Sequence, residues 1–145
     1  MTQRTIRMII QGQVPVTTLA TVTVTDAARL MKQNQVGAVM VVDDAGQLVG
    51  VFTERDALYR VLAAGCDGAR TPIADVMTPN PLTIHPDKPF AHALHMMHEG
   101  RFHHVPVVEA GKPVGMISAR DALGPELEAF VYEMLRQEQV SEILA

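Results

Sequence analysis

Two short segments of the sequence carry the same three chemical groups in the same order. The first segment contains Thr53, Arg55 and Asp56, and the second contains Ser118, Arg120 and Asp121. A hydroxyl beside the free N–H groups at the start of a helix forms an anion site, and a guanidinium adds charge-assisted donors to a phosphate. A carboxylate in the first helical turn can accept hydrogen bonds from two adjacent hydroxyls, such as those of a ribose. The pattern therefore favours a ligand that combines a sugar with a phosphate.

The same spacing also fits helix capping. A Ser or Thr at the N-cap and an acidic side chain three residues later can satisfy each other's backbone N–H groups, as in a capping box. Such a cap contributes on the order of 1 kcal/mol without any ligand. Hydroxyl, guanidinium and carboxylate recur together in both segments, and this recurrence favours binding in at least one of two sites.

Both segments belong to a duplication that extends along most of the chain. Residues 46–58 return as residues 111–123, with seven of thirteen positions identical, whereas average composition gives roughly one by chance. Upstream of the turns the offset lengthens by one residue, which aligns Thr17 with Thr83. An internal repeat of this length indicates one structural unit used twice.

Each copy has the periodicity of a strand, a helix, two strands and a second helix. Val24, Ala27 and Met31 lie on one face of a helical period, as do their counterparts at 90–97. The strands are predicted at 16–18, 38–42 and 48–52 in the first copy and at 82–84, 105–108 and 114–117 in the second. A unit of this size buries too little surface alone. We therefore predict an α/β fold of two packed β-α-β-β-α repeats, followed by a C-terminal helix.

Composition narrows the classes of protein. The 145 residues are 48% hydrophobic and 19% charged, which supplies enough apolar material for a folded core. The formal charge of −4 and the 4% of aromatic residues, with no Trp, oppose nucleic-acid binding. No run reaches the ~18 apolar residues of a membrane helix, and the single cysteine, Cys66, cannot form an internal disulfide. We predict a cytoplasmic protein that binds no membrane.

The longest motifs resemble those of a known family. Residues 50–58 read Gly-Val-Phe-Thr-Glu-Arg-Asp-Ala-Leu, residues 115–123 Gly-Met-Ile-Ser-Ala-Arg-Asp-Ala-Leu, residues 75–79 Asp-Val-Met-Thr-Pro and residues 103–108 His-His-Val-Pro-Val-Val. Over residues 5–123 the chain resembles a tandem pair of CBS domains, or Bateman module, such as those of stand-alone bacterial CBS-domain proteins. The corresponding boundaries are 5–69 for the first repeat, 70–123 for the second and 124–145 for the C-terminal helix.

The resemblance implies a pseudo-two-fold pair with clefts between the repeats. Such clefts bind an adenosine-containing ligand, which here could be AMP, ADP, ATP, NAD or S-adenosylmethionine. The implied contacts are Thr17, Val39, Thr83 and Val105 for adenine, and Thr53, Arg55, Asp56, Ser118, Arg120 and Asp121 for ribose and phosphate. The module has no catalytic residue and no catalytic cofactor. We expect a homodimer that regulates a partner protein of unknown identity.

The two copies differ at the middle strand. His104 stands where the first copy has Ala38, and Pro106 stands where it has Met40. Many members of the resembling family have a basic residue at the position of His104, directed toward phosphate. We therefore expect the cleft that receives His104 to bind more tightly. The sequence leaves open which aspartate shares that cleft.

Two other features each allow two readings. The six histidines lie between residues 85 and 104, and a solvent-facing role is favoured over a metal site because no closed ligand set is visible. The last segment carries an apolar stripe at helical spacing: Leu127, Phe130, Val131, Met134 and Leu135. That stripe packs either on its own module or on a dimer partner.

Three classes of function compete. The leading hypothesis is a regulatory nucleotide-sensing module, and the alternative is a structural or protein-interaction module with vestigial clefts. An enzyme is opposed because the sequence shows no nucleophile–base pair, closed metal set or phosphate-loop motif.

Overall fold

The computed structural model describes residues 4–122 and 125–144, except for the side chains of residues 122, 125–128 and 140–144. The elements in chain order are α1 (Ile6–Ile10), β1 (Thr17–Leu19), α2 (Val24–Asn34), β2 (Ala38–Val42), β3 (Leu48–Thr53), α3 (Glu54–Asp56) with a π-helical continuation (Ala57–Leu62), a 3-10 turn (Ile73–Asp75), β4 (Thr78–Pro79), α4 (Phe90–Gly100), β5 (His104–Glu109), β6 (Lys112–Ser118), a 3-10 helix (Ala119–Ala122) and α5 (Pro125–Leu144). The predicted α/β architecture with a C-terminal helix is confirmed.

The first repeat is a four-stranded sheet covered by α2. The strand order is β1-β2-β3-β4, with β1 parallel to β2 and the other pairs antiparallel. Val39 and Val41 alternate with Ala38 and Met40 along β2, so the two valines face α2 and pack in the first core. The β2–β3 turn contains Gly46 at φ +81°, a conformation that favours glycine.

The second repeat has a smaller sheet, because its first strand is reduced to a single bridge. β5 and β6 form an antiparallel pair, and Ile84 alone bridges to Val107, where the sequence predicts a strand at 82–84. In the first repeat the N–H of Met40 donates to the carbonyl of Val16 at 3.0 Å. The counterpart of Met40 is Pro106, which has no N–H to donate, and Pro86 ends the ladder two residues after Ile84.

The leading segment of each repeat packs in the core of the other repeat. Ile6 and Ile10 of α1 belong to the second core, and the N–H of Ile6 donates to the carbonyl of Lys88 at 2.9 Å. Ile73 is fully buried in the first core, and its N–H donates to the carbonyl of Val22. The predicted boundary 5–69 therefore assigns α1 to the repeat that it does not pack on. The predicted limits at 123 and 124 lie outside the described residues.

The C-terminal helix α5 contacts α4 through Phe130. That ring is half-buried and lies edge-on to His95 and His98, with centroid distances of 5.9 and 5.7 Å. Val131 and Leu135 of the predicted stripe are 45% and 54% exposed, and the side chain of Leu127 is not among those described. Within the described part of the chain, no helix has the length and apolarity to cross a membrane.

Candidate functional site

Two clefts lie between the repeats, and in each the motif of one repeat faces the strands of the other. The compact cleft has a volume of about 310 Å³, and the broad cleft has a volume of about 870 Å³. The compact cleft is lined by Ser118, Arg120 and Asp121 of the second repeat and by Pro15, Val16, Ala38 and Met40 of the first. The broad cleft is lined by Thr53, Arg55 and Asp56 of the first repeat and by Pro81, Leu82, Phe102 and His104 of the second.

The compact cleft holds the less constrained of the two aspartates. The backbone N–H of Ser118 donates to Oδ2 of Asp121 at 2.8 Å, and the Ser118 hydroxyl donates to the same oxygen at 3.4 Å. Neither bond engages Oδ1. Asp121 therefore keeps acceptor capacity at the mouth of a cavity whose opposite wall is apolar.

The aspartate of the broad cleft is held from several sides. Oδ2 of Asp56 accepts from the N–H of Thr53 at 3.0 Å, and the N–H of Asp56 donates to the Thr53 hydroxyl at 3.1 Å, which completes the predicted capping box. Oδ1 lies 3.5 Å from both the Thr78 hydroxyl and Nε of Arg60. Asp56 is only 7% exposed, so its carboxylate is committed to the fold.

Arginine and apolar side chains give the broad cleft its character. Nη1 of Arg55 donates to the carbonyl of Arg101 at 3.0 Å, which ties the first motif to the end of α4. Leu58, Tyr59 and Leu82 line the same cavity and are 49%, 61% and 63% exposed. The cavity is thus wide, largely apolar and edged by guanidinium groups.

His104 lies where the two clefts meet and lines both of them. Its neighbour Gly37 leaves little room, because a Cβ at position 37 would lie 3.1 Å from Nε2 of His104 and 3.0 Å from Oε1 of Glu54. Burial lowers the pKa of His104 below its usual 6.5. The Glu54 carboxylate opposes this effect, whereas His103 and Arg120 reinforce it. The imidazole is therefore neutral at pH 7 and can donate from one ring nitrogen.

The structure brings the motif residues and His104 to the clefts but places the other predicted residues elsewhere. Val39 and Val105 are 0% exposed and belong to the two cores, so their side chains do not line either cleft. Pro106 is fully buried as well. Thr17 and Thr83 are exposed, and neither lines either cleft.

The apolar wall of the compact cleft was missed by the sequence reasoning. Ala38 and Met40 supply it from β2, on the face opposite Val39. The period of two along a strand was the signal that could have found them, because core-facing valines put their neighbours on the other face. Pro15 and Val16 precede β1 and carry no comparable pattern.

The histidines on α4 do not assemble a metal centre within the part of the chain that the structure describes. No group of three or more His, Cys, Asp or Glu side chains there is arranged to hold an ion. His95 and His98 instead flank Phe130 of α5.

Comparison with known proteins gives a family match over both repeats. The family model for the CBS domain matches residues 12–63 and 73–125. The CBS domain-containing protein YhcV of Bacillus subtilis is 36% identical over 99 residues, which cover 68% of this chain and 69% of YhcV. The chain spans 13% to 19% of the length of the first four curated relatives that it matches, which are proteins of Schizosaccharomyces pombe and Arabidopsis thaliana.

Solved structures with the same fold include complexes with adenosine compounds. The CBS domain protein PAE2072 of Pyrobaculum aerophilum, complexed with AMP, has a TM-score of 0.78 and 25% identity, and the match covers 92% of this chain and 99% of PAE2072. The CBS domain pair of MJ0100, in complex with 5′-methylthioadenosine and S-adenosyl-L-methionine, has a TM-score of 0.75 and 26% identity, with coverage of 83% and 93%.

Proposed function

The chain belongs to the CBS-domain family as a tandem pair, and from this we propose that it is a regulatory module that binds an adenosine-containing nucleotide. CBS-domain proteins are generally regulatory, non-catalytic modules, and structures of CBS-domain pairs hold AMP, S-adenosyl-L-methionine and 5′-methylthioadenosine. We assign the nucleotide to the compact cleft. Its location in the cytoplasm stays a prediction.

One observation carries the choice of cleft: Asp121 has acceptor capacity in a cavity with an apolar wall, whereas Asp56 is engaged by Thr53, Thr78 and Arg60. The adenine ring lies against the wall that contains Val16 and Met40. The ribose hydroxyls donate to Asp121. The first phosphate is held by His104, by Arg120 and by the Ser118 hydroxyl, whose proton turns from Asp121 to the phosphate when the ligand binds.

Binding must change the arrangement of the repeats if it is to regulate anything. The compact cleft is formed by residues of both repeats, so a ligand there contacts both and favours whichever arrangement fits it best. A ligand with equal affinity for both arrangements would shift nothing. We propose that a partner protein reads this change, and that the chain acts as a homodimer to which the exposed Val131 and Leu135 of α5 contribute.

The alternative function applies to the broad cleft. Its aspartate is committed to capping and its walls are apolar and exposed, which favours a vestigial ligand site that contacts another protein. In that case the compact cleft senses the nucleotide and the broad cleft contributes to the readout.

Titration calorimetry with AMP, ADP, ATP, NAD and S-adenosylmethionine tests the proposal. We expect saturable binding of at least one compound. Asp121→Asn should weaken it about ten- to a hundredfold, the equivalent of about 1.5–3 kcal/mol, because a charge-assisted contact to the ribose is lost. Asp44→Asn, at an exposed turn position far from both clefts, is the matched control and should bind as the wild type does.

Two results would contradict the proposal. A flat response to all five compounds would favour the protein-interaction module. If Asp121→Asn binds with unchanged affinity and unfolds at the same temperature as the wild type, the assignment of the ribose to Asp121 is wrong.

A further inference from the structure

An open groove of about 450 Å³ continues from the compact cleft across the surface of the first repeat. Five residues line both the cleft and the groove: Val36, Gly37, His104, Ser118 and Arg120. The two cavities therefore adjoin along these residues, and we refer to them together as a channel with a shared middle. The residues that line only one of them mark its two ends.

The two ends of the channel differ in chemistry. The cleft end has the apolar wall of Val16 and Met40 together with Asp121. The groove end adds the charged and polar side chains of Lys32, Gln35, His103 and Glu54 beside the apolar Met31 and Ala119. The shared middle contains the groups to which we assign the first phosphate. A ligand that enters adenine first thus places whatever follows its first phosphate in the groove.

The charges that line the groove suit an anion. Lys32 lies in the last turn of α2, and Arg120 reaches the groove from the other repeat. Two imidazoles, His103 and His104, add hydrogen-bond donors. Among the described residues that line the groove, Glu54 is the single carboxylate. The balance favours further phosphate groups over a cationic or an apolar substituent.

We propose that the compact cleft selects adenosine nucleotides with more than one phosphate, ADP or ATP, and that Lys32 determines this specificity by contacting the phosphates beyond the first. The inference rests on the proposed function, which places the adenosine and the first phosphate. The second repeat has no equivalent lysine, because position 98 is a histidine that flanks Phe130.

Calorimetric titrations of AMP, ADP and ATP, without divalent metal, into the wild type and Lys32→Ala test this specificity. We expect ADP or ATP to bind the wild type at least several-fold more tightly than AMP. Lys32→Ala should weaken ADP and ATP about three- to tenfold, as for a partly exposed ion pair, and should leave AMP within about twofold. Lys112→Ala, on an exposed edge of β6, is the matched control and should change none of the three.

A second variant acts in the opposite direction. Glu54→Gln removes the carboxylate from the groove and should strengthen ATP binding more than AMP binding, provided that thermal unfolding shows an intact fold. Equal affinities for AMP, ADP and ATP, or an equal loss for all three in Lys32→Ala, would overturn this inference and leave the proposed function standing. If no adenosine compound binds, the proposed function itself fails.

Discussion

The compact and the broad cleft are built from copies of one motif, yet the two clefts hold their aspartates differently. Among the described residues, the carboxylate of Asp121 accepts hydrogen bonds from Ser118, whereas Asp56 is held by Thr53, Thr78 and Arg60. Both aspartates accept a hydrogen bond from the backbone N–H of the motif's hydroxyl residue, but the second carboxylate oxygen of Asp56 also contacts Thr78 and Arg60. The proposed binding role of Asp121 rests on this difference in surroundings.

The difference originates just after each motif. In the first repeat the helix continues for six residues, Ala57–Leu62, and Arg60 in that continuation reaches back to Asp56. The position aligned with Arg60 is Pro125, where α5 begins. The second motif therefore has no arginine four residues after its aspartate, and the guanidinium of Arg4 donates to the backbone carbonyl of Asp121 at 3.4 Å.

The largest effects on stability should come from the two leading segments, which contain Ile6 and Ile73 and each pack in the core of the other repeat. Ile6→Ala and Ile73→Ala remove fully buried side chains and should each lower the free energy of unfolding by about 2–5 kcal/mol. Hydrogen exchange should locate the loss in the second repeat for Ile6→Ala and in the first repeat for Ile73→Ala. Loss of protection in the first repeat on Ile6→Ala would contradict the exchanged packing.

A smaller effect separates the two aspartates directly. Asp56→Ala leaves the N–H of Thr53 without its acceptor and should lower the free energy of unfolding by about 1–2 kcal/mol. Asp121→Ala likewise removes the acceptor of the Ser118 N–H, whereas Asp56→Ala also removes the contacts with Thr78 and Arg60, so Asp121→Ala should cost less stability and more nucleotide affinity. Urea unfolding of both variants measures the loss of stability, and titration calorimetry measures the loss of nucleotide affinity. If the two variants lose equal stability, the contrast between a capping and a binding aspartate is wrong.

The smallest effect concerns the histidine shared by the clefts. Because the pKa of His104 is lowered in the folded protein, its contribution to stability is present above the unfolded value near 6.5 and declines as pH falls below it. His104→Gln should flatten that decline between pH 7 and pH 5, measured as the difference in free energy of unfolding from the wild type. A bound phosphate should raise the same pKa, so nucleotide binding should take up protons. Identical pH profiles of the wild type and His104→Gln would contradict the prediction that burial of His104 makes stability depend on pH.

Local sequence patterns predicted the elements well, because each depends on neighbours along the chain. The apolar period of Val24, Ala27 and Met31 gives α2, and the reciprocal bonds between Thr53 and Asp56 give the cap. The reduced first strand of the second repeat was predictable in the same way, since Pro86 and Pro106 cannot donate to a ladder. The strand predicted at 82–84, which the structure reduces to a single bridge, shows that partner strands must be read together.

Properties that depend on distant residues could not be predicted from these patterns. Nothing near Ile6 in the sequence indicates that it packs in the second core, and nothing near Asp56 indicates that Thr78 will face its carboxylate. His104 was expected in one cleft and lines both, because it lies beside Gly37 at the point where the repeats meet. The alternation of side chains along β2 would have predicted that Met40, and not Val39, lines the cleft.

The exchange of leading segments also has a consequence for how the pair could have arisen and how it can be divided. A single repeat, expressed alone with its own leading segment, cannot place that segment in its own core and must receive one from another molecule. The connectivity is that of a domain-swapped dimer whose two chains have been fused end to end. A cut between residues 63 and 73 should thus produce two fragments that each carry part of the other's interior and lack part of their own, and that are stable only when recombined.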